Sequence, residues 1–197
     1  DIIRGDAGNN VLSGAGGIDN IYGGAGNDTL WAGQVQLNGY ASTDTTDDNL
    51  YGGAGDDILR GSHGDNIIDG GAGRDAIVAT GNGADTIVIR PGSGGSTQNT
   101  ADFHHQWHVD SGDKIGLDGG LEYSDLTIAQ GISAGAGTDT SGYENNTVIS
   151  YGSEYLLVLS QTVASSVDYF DFTSMATGNQ TLSGTTGDDV LIGAAGI

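Results

Sequence analysis

Cysteine is absent from this 197-residue sequence, and proline and methionine occur only once each. The lack of cysteine excludes a disulfide framework, so the fold has to gain its stability from another source. Positive charges are also scarce, because the chain holds only five basic residues: Arg4, Arg60, Arg74, Arg90 and Lys114. So few charges cannot form a basic stripe, and the composition therefore argues against nucleic acid as a partner.

Long apolar runs and some common catalytic signatures are missing too. No apolar run approaches the ~20 residues that a membrane-spanning helix needs, which predicts that the chain has no transmembrane segment. The sequence contains neither a cysteine nucleophile nor an H-E-x-x-H metal motif. Together these absences predict that the chain is not an enzyme.

What the sequence has in excess is aspartate and glycine. The 26 acidic residues contribute to a formal charge of −21, and the only glutamates among them are Glu122, Glu144 and Glu154. Glycine accounts for 37 residues, far above the usual ~7% of a protein. The preference for the shorter acid indicates carboxylates that are placed in turns as ligands. Because such carboxylates repel one another without cations, we expect the repeat region to be largely disordered until cations bind.

Aspartate and glycine recur with a period of nine residues. Residues 23–31 (GGAGNDTLW), 52–60 (GGAGDDILR) and 70–78 (GGAGRDAIV) follow the pattern G-G-x-G-x-D-x-U-x, where U is a large apolar residue. This pattern is the repeat of a calcium-binding parallel β-helix. Imperfect copies bring the total to eight units, interrupted once by residues 32–42. These copies cover residues 5–13, 14–22, 43–51, 61–69 and 80–88.

Each position of the repeat has a predicted structural role. The glycines at positions 1, 2 and 4 are expected to adopt left-handed backbone conformations, which turn the chain tightly and direct carbonyl groups inward. A strand of about three residues follows, and only position 8 faces the core because side chains alternate across a strand. The predicted core is a stack of Leu12, Ile21, Leu30, Leu50, Leu59, Ile68, Ile77 and Ile87.

Position 6 supplies the predicted metal ligands. Ca²⁺ prefers carboxylate and carbonyl oxygens, about 6–8 of them at roughly 2.3–2.6 Å. The predicted side-chain ligands are Asp1, Asn10, Asp19, Asp28, Asp48, Asp57, Asn66, Asp75, Asp85 and Asp189. The predicted carbonyl ligands belong to Gly23, Ala25, Gly52, Ala54, Gly70 and Ala72. The alternative is that these aspartates only stabilise turns.

Two units should form one coil, so each ion is expected between a unit and the next but one. This spacing predicts four ligand pairs, which are Asn10 with Asp28, Asp48 with Asn66, Asp57 with Asp75, and Asn66 with Asp85. Asparagine is a neutral ligand, so the sites that contain it should bind calcium more weakly. The unit 43–51 has no glycine and is the one that could hold no ion at all.

With this motif the sequence resembles the RTX family, the glycine-rich nonapeptide repeats of secreted proteins from Gram-negative bacteria. The similarity covers residues 1–88 and resumes at 184–197, where GTTGDDVLI restarts the repeat. The resemblance implies a β-roll that binds several Ca²⁺ ions, export by a type I secretion system, and an extracellular or cell-surface location. It also implies that the chain leaves the cell unfolded and folds in a calcium-rich medium.

The second half of the chain contains short strand-like runs instead of nonapeptides. They cover residues 114–117, 126–129, 147–151, 155–160 and 169–172, and the third and fourth form a hairpin. This half resembles the β-rich segment that often follows RTX arrays, whose implied role is to cap the open edge of the roll.

The predicted fold is therefore all-β and divides into three parts. A calcium-binding parallel β-roll (an RTX solenoid) covers residues 1–88 with an insertion at 32–42. A β-sandwich-like capping segment covers residues 89–176. The start of a further RTX array covers residues 177–197.

Two further groups of residues invite a functional interpretation. His104, His105 and His108 lie between two aspartates, and a transition metal such as Zn²⁺ could use His104, His108 and a carboxylate. We favour the simpler interpretation, which is an exposed loop or strand with incidental histidines. Tyr22, Trp31 and Tyr51 occupy position 9 and should face outward. We interpret them as surface packing, and the alternative is an aromatic strip for sugars or a partner chain.

The two ends of the sequence fit one another in the nonapeptide register. Residues 193–197 followed by 1–4 read GAAGIDIIR, which is a well-formed repeat. This match leads to the hypothesis that the chain is one period of a tandem array, or a subunit that stacks head to tail. The alternative is an arbitrary fragment of one continuous RTX stretch.

The predicted function is a calcium-dependent structural module of a secreted or cell-surface protein, such as an adhesin, a surface layer or a filament. The expected partners are calcium, adjacent copies of the chain, and a polysaccharide or cell-surface ligand. The alternative function is a calcium-binding C-terminal module that assists the secretion and folding of an extracellular enzyme, for example a protease, a lipase or a polysaccharide-modifying enzyme.

Overall fold

The computed structural model describes residues 1–34, 44–79, 83–105, 112–131 and 146–175. Each of the eight nonapeptides contributes one strand, from β2 to β9. The strands of the described residues are β1 (Ile2–Arg4), β2 (Val11–Ser13), β3 (Asn20–Ala25), β4 (Thr29–Trp31), β5 (Asn49–Ala54), β6 (Ile58–Arg60), β7 (Ile67–Ala72), β8 (Ala76–Val78), β9 (Thr86–Ile89), β10 (Asp102–His104), β11 (Lys114–Leu117), β12 (Leu126–Gln130), β13 (Thr147–Tyr151), β14 (Glu154–Leu159) and β15 (Phe172–Ser174). Within these ranges no helix is long or apolar enough to cross a membrane.

Odd and even strands of the repeat region form two separate parallel sheets. One sheet has the order β1-β3-β5-β7-β9-β11-β15, and the other has the order β12-β13-β14-β10-β8-β6-β4-β2. Neighbouring strands within a sheet come from alternate units, as when Leu59 pairs with Ile77. The insertion leaves this register intact, because Leu30 still pairs with Leu59 across it. The predicted all-β parallel β-roll is therefore confirmed.

The core of the roll is the predicted stack of leucine and isoleucine side chains. All but one of the predicted core residues are fully buried, with 0% exposure: Ile21, Leu30, Leu50, Leu59, Ile68, Ile77 and Ile87. Leu12 is only partly buried, since its strand β2 lies at the edge of its sheet. Burying one such side chain contributes roughly 1.5–3 kcal/mol, so the stack is a main source of stability once the coils are formed.

Three strands of the seven-stranded sheet are longer than the predicted three residues. β3, β5 and β7 have six residues each and run into the glycine pair that follows them. The reason is that the backbone of the turn also pairs with the next coil. The Gly26 N–H donates to the Ala54 carbonyl oxygen over 2.8 Å, and the Gly55 N–H donates to that of Ala72 over 2.8 Å. Hydrogen bonds along the stack therefore continue through these turns.

The second half of the chain extends both sheets of the roll. β10 and β11 follow β8 and β9 in parallel, beyond Val88, where the nonapeptide pattern ends. β12, β13 and β14 form an antiparallel meander, and β14 pairs in parallel with β10. The predicted strand over 169–172 is instead a 3₁₀ turn at Tyr169–Asp171, and β15 begins only at Phe172. The Asp168 side chain causes this difference, because it accepts from the Phe170 N–H over 2.8 Å and caps the turn.

Candidate calcium sites

The position-6 side chains stack into two columns, one along each edge of the roll. The first column lies at the start of the even strands and consists of Asn10, Asp28, Asp57, Asp75 and Asp102. The second column precedes the odd strands and consists of Asp1, Asp19, Asp48, Asn66, Asp85 and Asp113. Apart from Asp1 and Asn10, every member of both columns is at most 5% exposed. Such a concentration of buried carboxyl groups requires compensation.

Within a column, one oxygen of each carboxylate is used by the backbone of the preceding coil. Asp57 Oδ1 accepts from the Asp28 N–H over 2.6 Å, and Asp75 Oδ1 accepts from the Asp57 N–H over 2.8 Å. The same contact recurs in the second column, where Asp48 Oδ1 accepts from the Asp19 N–H over 2.9 Å. These hydrogen bonds fix each side chain and direct its second oxygen elsewhere.

The second carboxylate oxygen is buried and has no hydrogen-bond partner at several of these positions. This holds for Oδ2 of Asp19, Asp28, Asp57 and Asp75. An uncompensated buried carboxylate oxygen is costly, whereas a hard cation such as Ca²⁺ binds such oxygens directly. The side chains therefore fit a bound cation.

At Gly23 and Gly52, the first glycines of two complete repeats, a carboxylate oxygen and a carbonyl oxygen converge. A β-carbon on Gly23 would overlap Asp28 Oδ2 and would lie 2.5 Å from the carbonyl oxygen of Gly52 in the next coil. A β-carbon on Gly52 would overlap the equivalent pair, Asp57 Oδ2 and the Gly70 carbonyl oxygen. Only glycine leaves this space open. The space is lined by the oxygen types that calcium prefers.

This geometry corrects the expected role of the position-1 glycines. Gly23 and Gly52 do not have positive φ angles, so the predicted left-handed conformation is absent there. Gly24 and Gly26, at positions 2 and 4, do adopt it, with φ values of 114° and 108°. Glycine is thus needed at position 1 for space beside the oxygens, and at positions 2 and 4 for the backbone conformation.

Backbone carbonyls have to supply a large part of any ligand set. Among the residues that the structure describes, no three histidine, cysteine, aspartate or glutamate side chains group closely enough to hold a metal. The carbonyl oxygens of Gly23, Gly52 and Gly70 face position-6 side chains of the preceding coil. Those of Ala54 and Ala72 accept hydrogen bonds from that coil, and a carbonyl keeps a second lone pair.

Burial changes the acid–base properties of the columns. Desolvation raises the pKa of Asp48 and Asp57 to about 6 and that of Asp85 to about 7. Burial and mutual repulsion also raise the pKa values of Asp75 and Asp102. The charged forms are thus disfavoured unless a cation lies beside them.

In part of the second column the protein's own donors occupy the position of a ligand. The Asn66 Nδ2 group donates to the Gly64 carbonyl oxygen over 2.8 Å and to Asp85 Oδ1 over 2.9 Å. Ser62 Oγ lies 3.4 Å from Asp48 Oδ2 as a hydrogen-bond donor. These contacts support the expectation that sites with asparagine bind calcium more weakly.

The structure places the sequence-predicted ligands as follows. All four predicted pairs lie in contact across neighbouring coils, with a backbone N–H of one residue donating to the side chain of the other. Asp1 occupies position 6 of its coil, since its carbonyl oxygen accepts from the Asn20 N–H over 2.9 Å, but its side chain is exposed. Asp189 lies outside the described residues. Binding of calcium by each individual residue remains a prediction.

Two sets of residues were missed by the sequence reasoning. Asp102 and Asp113 continue the columns although they lie outside the nonapeptides. The sequence feature that could have identified them is an aspartate followed two residues later by a core residue, as at positions 6 and 8 of the repeat. The second set is a row of hydrogen bonds between position-5 residues of successive coils. Here the earlier coil supplies the acceptor oxygen and the later coil the N–H, which is the reverse of the arrangement in the two columns. Asn9 Oδ1 accepts from the Asn27 N–H over 2.9 Å, and Asp56 Oδ1 accepts from the Arg74 N–H over 2.9 Å. Repeated Asn or Asp at position 5 is its signal.

His104, Tyr22 and Tyr51 are not members of these columns. His104 is fully buried on β10 rather than exposed, because position 8 of every coil faces the core. His105 is exposed, and His108 lies outside the described residues. On the outer face, the Tyr22 and Tyr51 rings stack at 4.8 Å, and Arg4 lies 4.4 Å from the Tyr22 ring. Their ring faces are thus used within the protein, which supports surface packing.

The family comparison agrees with this geometry. The family model of the RTX calcium-binding nonapeptide repeat matches the chain in 4 copies, over residues 4–34, 42–77 and 176–196. The last range lies outside the described residues. None of the curated proteins matches the chain. The matched ranges are therefore RTX nonapeptide repeats, which bind calcium ions.

Proposed function

We propose that the chain is a calcium-rigidified structural module of a secreted or cell-surface protein, such as an adhesin, a surface layer or a filament. The observation that carries this proposal is the convergence of a buried, unpartnered carboxylate oxygen with a carbonyl oxygen of the next coil. At Gly23 these are Asp28 Oδ2 and the Gly52 carbonyl oxygen. An ion held there connects two coils.

The charge of the chain makes this connection a condition for folding. With a formal charge of −21 and 37 glycines, the calcium-free chain has strong self-repulsion and much conformational entropy to lose. Bound calcium offsets the repulsion and closes the turns, so the free energy of binding becomes free energy of folding. Such a module stays unfolded where calcium is low and becomes rigid outside the cell, where calcium is abundant. Further copies stacked on it would lengthen the same structure.

The test is to follow the β signal in circular dichroism and the hydrodynamic radius during a calcium titration that starts in chelator. We expect a largely disordered chain in chelator and a compact β protein with calcium. Mg²⁺ is the control ion, because it is smaller and demands octahedral geometry with retained water, so it should not replace calcium. A full β signal in chelator would contradict the proposal.

A second candidate is the calcium-binding module that assists secretion and folding of an extracellular enzyme. The same coupling of calcium to folding favours it, since a chain exported unfolded needs a signal to fold on arrival. The parent polypeptide distinguishes the two functions. Purification of the native protein in chelator and sequencing of its whole chain should reveal further repeat modules under the first proposal and a catalytic domain under the second.

A further inference from the structure

Asp102 occupies a ligand position of the first column without belonging to a nonapeptide. Its Oδ1 atom accepts from the Asp75 N–H over 3.0 Å, which is the contact that each aspartate of the column makes with the preceding coil. The Phe103 N–H donates to the Asp75 carbonyl oxygen over 2.8 Å, so β10 is in register with β8. The preceding residues contain a 3₁₀ turn at Gln98–Thr100 instead of the glycine-rich turn of the repeats.

In the turn before β8, one carboxylate oxygen of Asp75 has no partner within its own coil. Asp75 Oδ2 is buried and has no hydrogen-bond partner, and Asp75 is 1% exposed. A β-carbon on Gly70 would overlap this oxygen, just as one on Gly23 or Gly52 would overlap the oxygen of its own turn. For the nonapeptides, the following coil supplies the opposite side of the site. For this last turn, the following coil is the flanking segment, and the position-6 residue there is Asp102, which is 1% exposed.

We propose that Asp102 is a ligand of one more calcium ion, which is shared with Asp75 and joins the flanking segment to the roll. The inference rests on calcium binding by the nonapeptides and adds a site beyond them. Asp113 has the equivalent place in the second column, since its Oδ1 accepts from the Asp85 N–H over 2.9 Å. Through β10, the ion couples calcium to the order of β14 and of the meander to which β14 belongs.

The decisive variant is Asp102→Asn, because asparagine keeps the oxygen that accepts from the Asp75 N–H but loses the charge that holds an ion. The matched control is Asp125→Asn, which also removes one negative charge, from an exposed side chain whose oxygen accepts from the Glu122 N–H. For both variants, equilibrium dialysis against Ca²⁺ counts the bound ions. Hydrogen exchange during the same titration follows β14 in the flanking segment and β6 in the roll.

We expect Asp102→Asn to bind one ion fewer at low free calcium. The calcium concentration at which β14 is half-protected from hydrogen exchange should rise about tenfold or more, because a charged ligand is lost. The values for β6 and for the Asp125→Asn control should change little.

If Asp102 only shares a proton with Asp75, asparagine is a good substitute for it. An unchanged ion count and an unchanged calcium midpoint for β14 would therefore overturn the proposal. If β14 never becomes ordered in Asp102→Asn, the result supports the proposal provided that β14 does become ordered in Asp102→Glu, which restores the charge. If Asp102→Glu also fails, the proposal is wrong. Wild-type protein that binds no calcium would instead refute the function on which the inference rests.

Discussion

The two columns differ in what stands at the start of each turn. In the first column every nonapeptide begins with glycine, at Gly5, Gly23, Gly52 and Gly70. In the second column the corresponding residues are Gly14, Thr43, Gly61 and Thr80. The contrast is clearest between Gly52 and Gly61. A β-carbon on Gly52 would overlap two oxygens, whereas one on Gly61 would lie 3.2 Å from Asn66 Nδ2 and 3.4 Å from a methyl group of Ile68.

This difference shows two ways of joining the same coils. In the first column, the carboxylate oxygens of Asp28, Asp57 and Asp75 are left for a cation. Around Asn66, an amide group donates hydrogen bonds to the neighbouring oxygens and so does part of what a cation would do. A turn of the first kind, which includes that of Asp19 in the second column, depends on calcium, and a turn of the second kind depends less on it.

The largest expected effect comes from Gly52→Ala, with Gly61→Ala as its matched partner. The new methyl group at residue 52 would fill the space between Asp57 Oδ2 and the Gly70 carbonyl oxygen. We expect the loss of one calcium ion and a decrease of about 3 kcal/mol or more in unfolding free energy with calcium. At residue 61 the change should stay within about 1 kcal/mol. Urea unfolding in saturating calcium measures both values, and equal losses would contradict the contrast between the two kinds of turn.

The second prediction concerns pH in calcium-free buffer. The pKa values of Asp57 and Asp85 are raised by burial to about 6 and about 7, above the value of about 3.9 in an unfolded chain. The folded state therefore binds protons more tightly than the unfolded state, and its stability is lost as pH rises through 6 to 7. We expect the calcium-free β signal to increase between pH 8 and pH 5. Calcium affinity should show the opposite trend, because protons compete with the ion.

The contribution of the columns to this effect can be separated from that of the net charge. Asp57→Asn removes a buried titrating group, while the exposed Asp125→Asn removes the same charge without a buried carboxyl. Circular dichroism in calcium-free buffer should therefore show a weaker pH dependence for Asp57→Asn only. An equal change in both variants would attribute the pH dependence to net charge instead of the columns.

Much of the roll could be predicted from the spacing of apolar residues, whereas the members of the two columns outside the nonapeptides could not. Strand alternation and the nine-residue period were sufficient to predict the buried stack from Ile21 to Ile87, because those rules are local. Asp102 and Asp113 escaped prediction because they lie outside the nonapeptides, and only the stacking of β10 and β11 on the roll brings them into the columns. The same stacking buries His104, which composition alone assigned to an exposed segment.

The role of glycine at position 1 also lay beyond the sequence. Glycine permits both positive φ and close approach, and the sequence pattern is the same for the two causes. The space beside Gly23 is bounded by the carbonyl oxygen of Gly52 in the next coil. This residue lies further along the chain than any local rule reaches. Contacts between coils are thus what sequence reasoning could not supply.

The smallest expected effect is a conversion of the second kind of turn into the first by Asn66→Asp. The variant loses the two donor bonds of Nδ2 and places a carboxylate beside Asp85, so without calcium its folded state should become about 1–2 kcal/mol less favourable relative to the disordered chain. With calcium, the new charge should tighten binding at this turn and make folding more dependent on the ion. Asn20→Asp is the matched control, since it adds the same charge but keeps the oxygen that accepts from Asn49 Nδ2 over 3.0 Å. Calcium titrations measure the affinity of both variants. An equal increase in calcium affinity would contradict the contrast, because the increase would then come from the added charge and not from the place of residue 66 in the column.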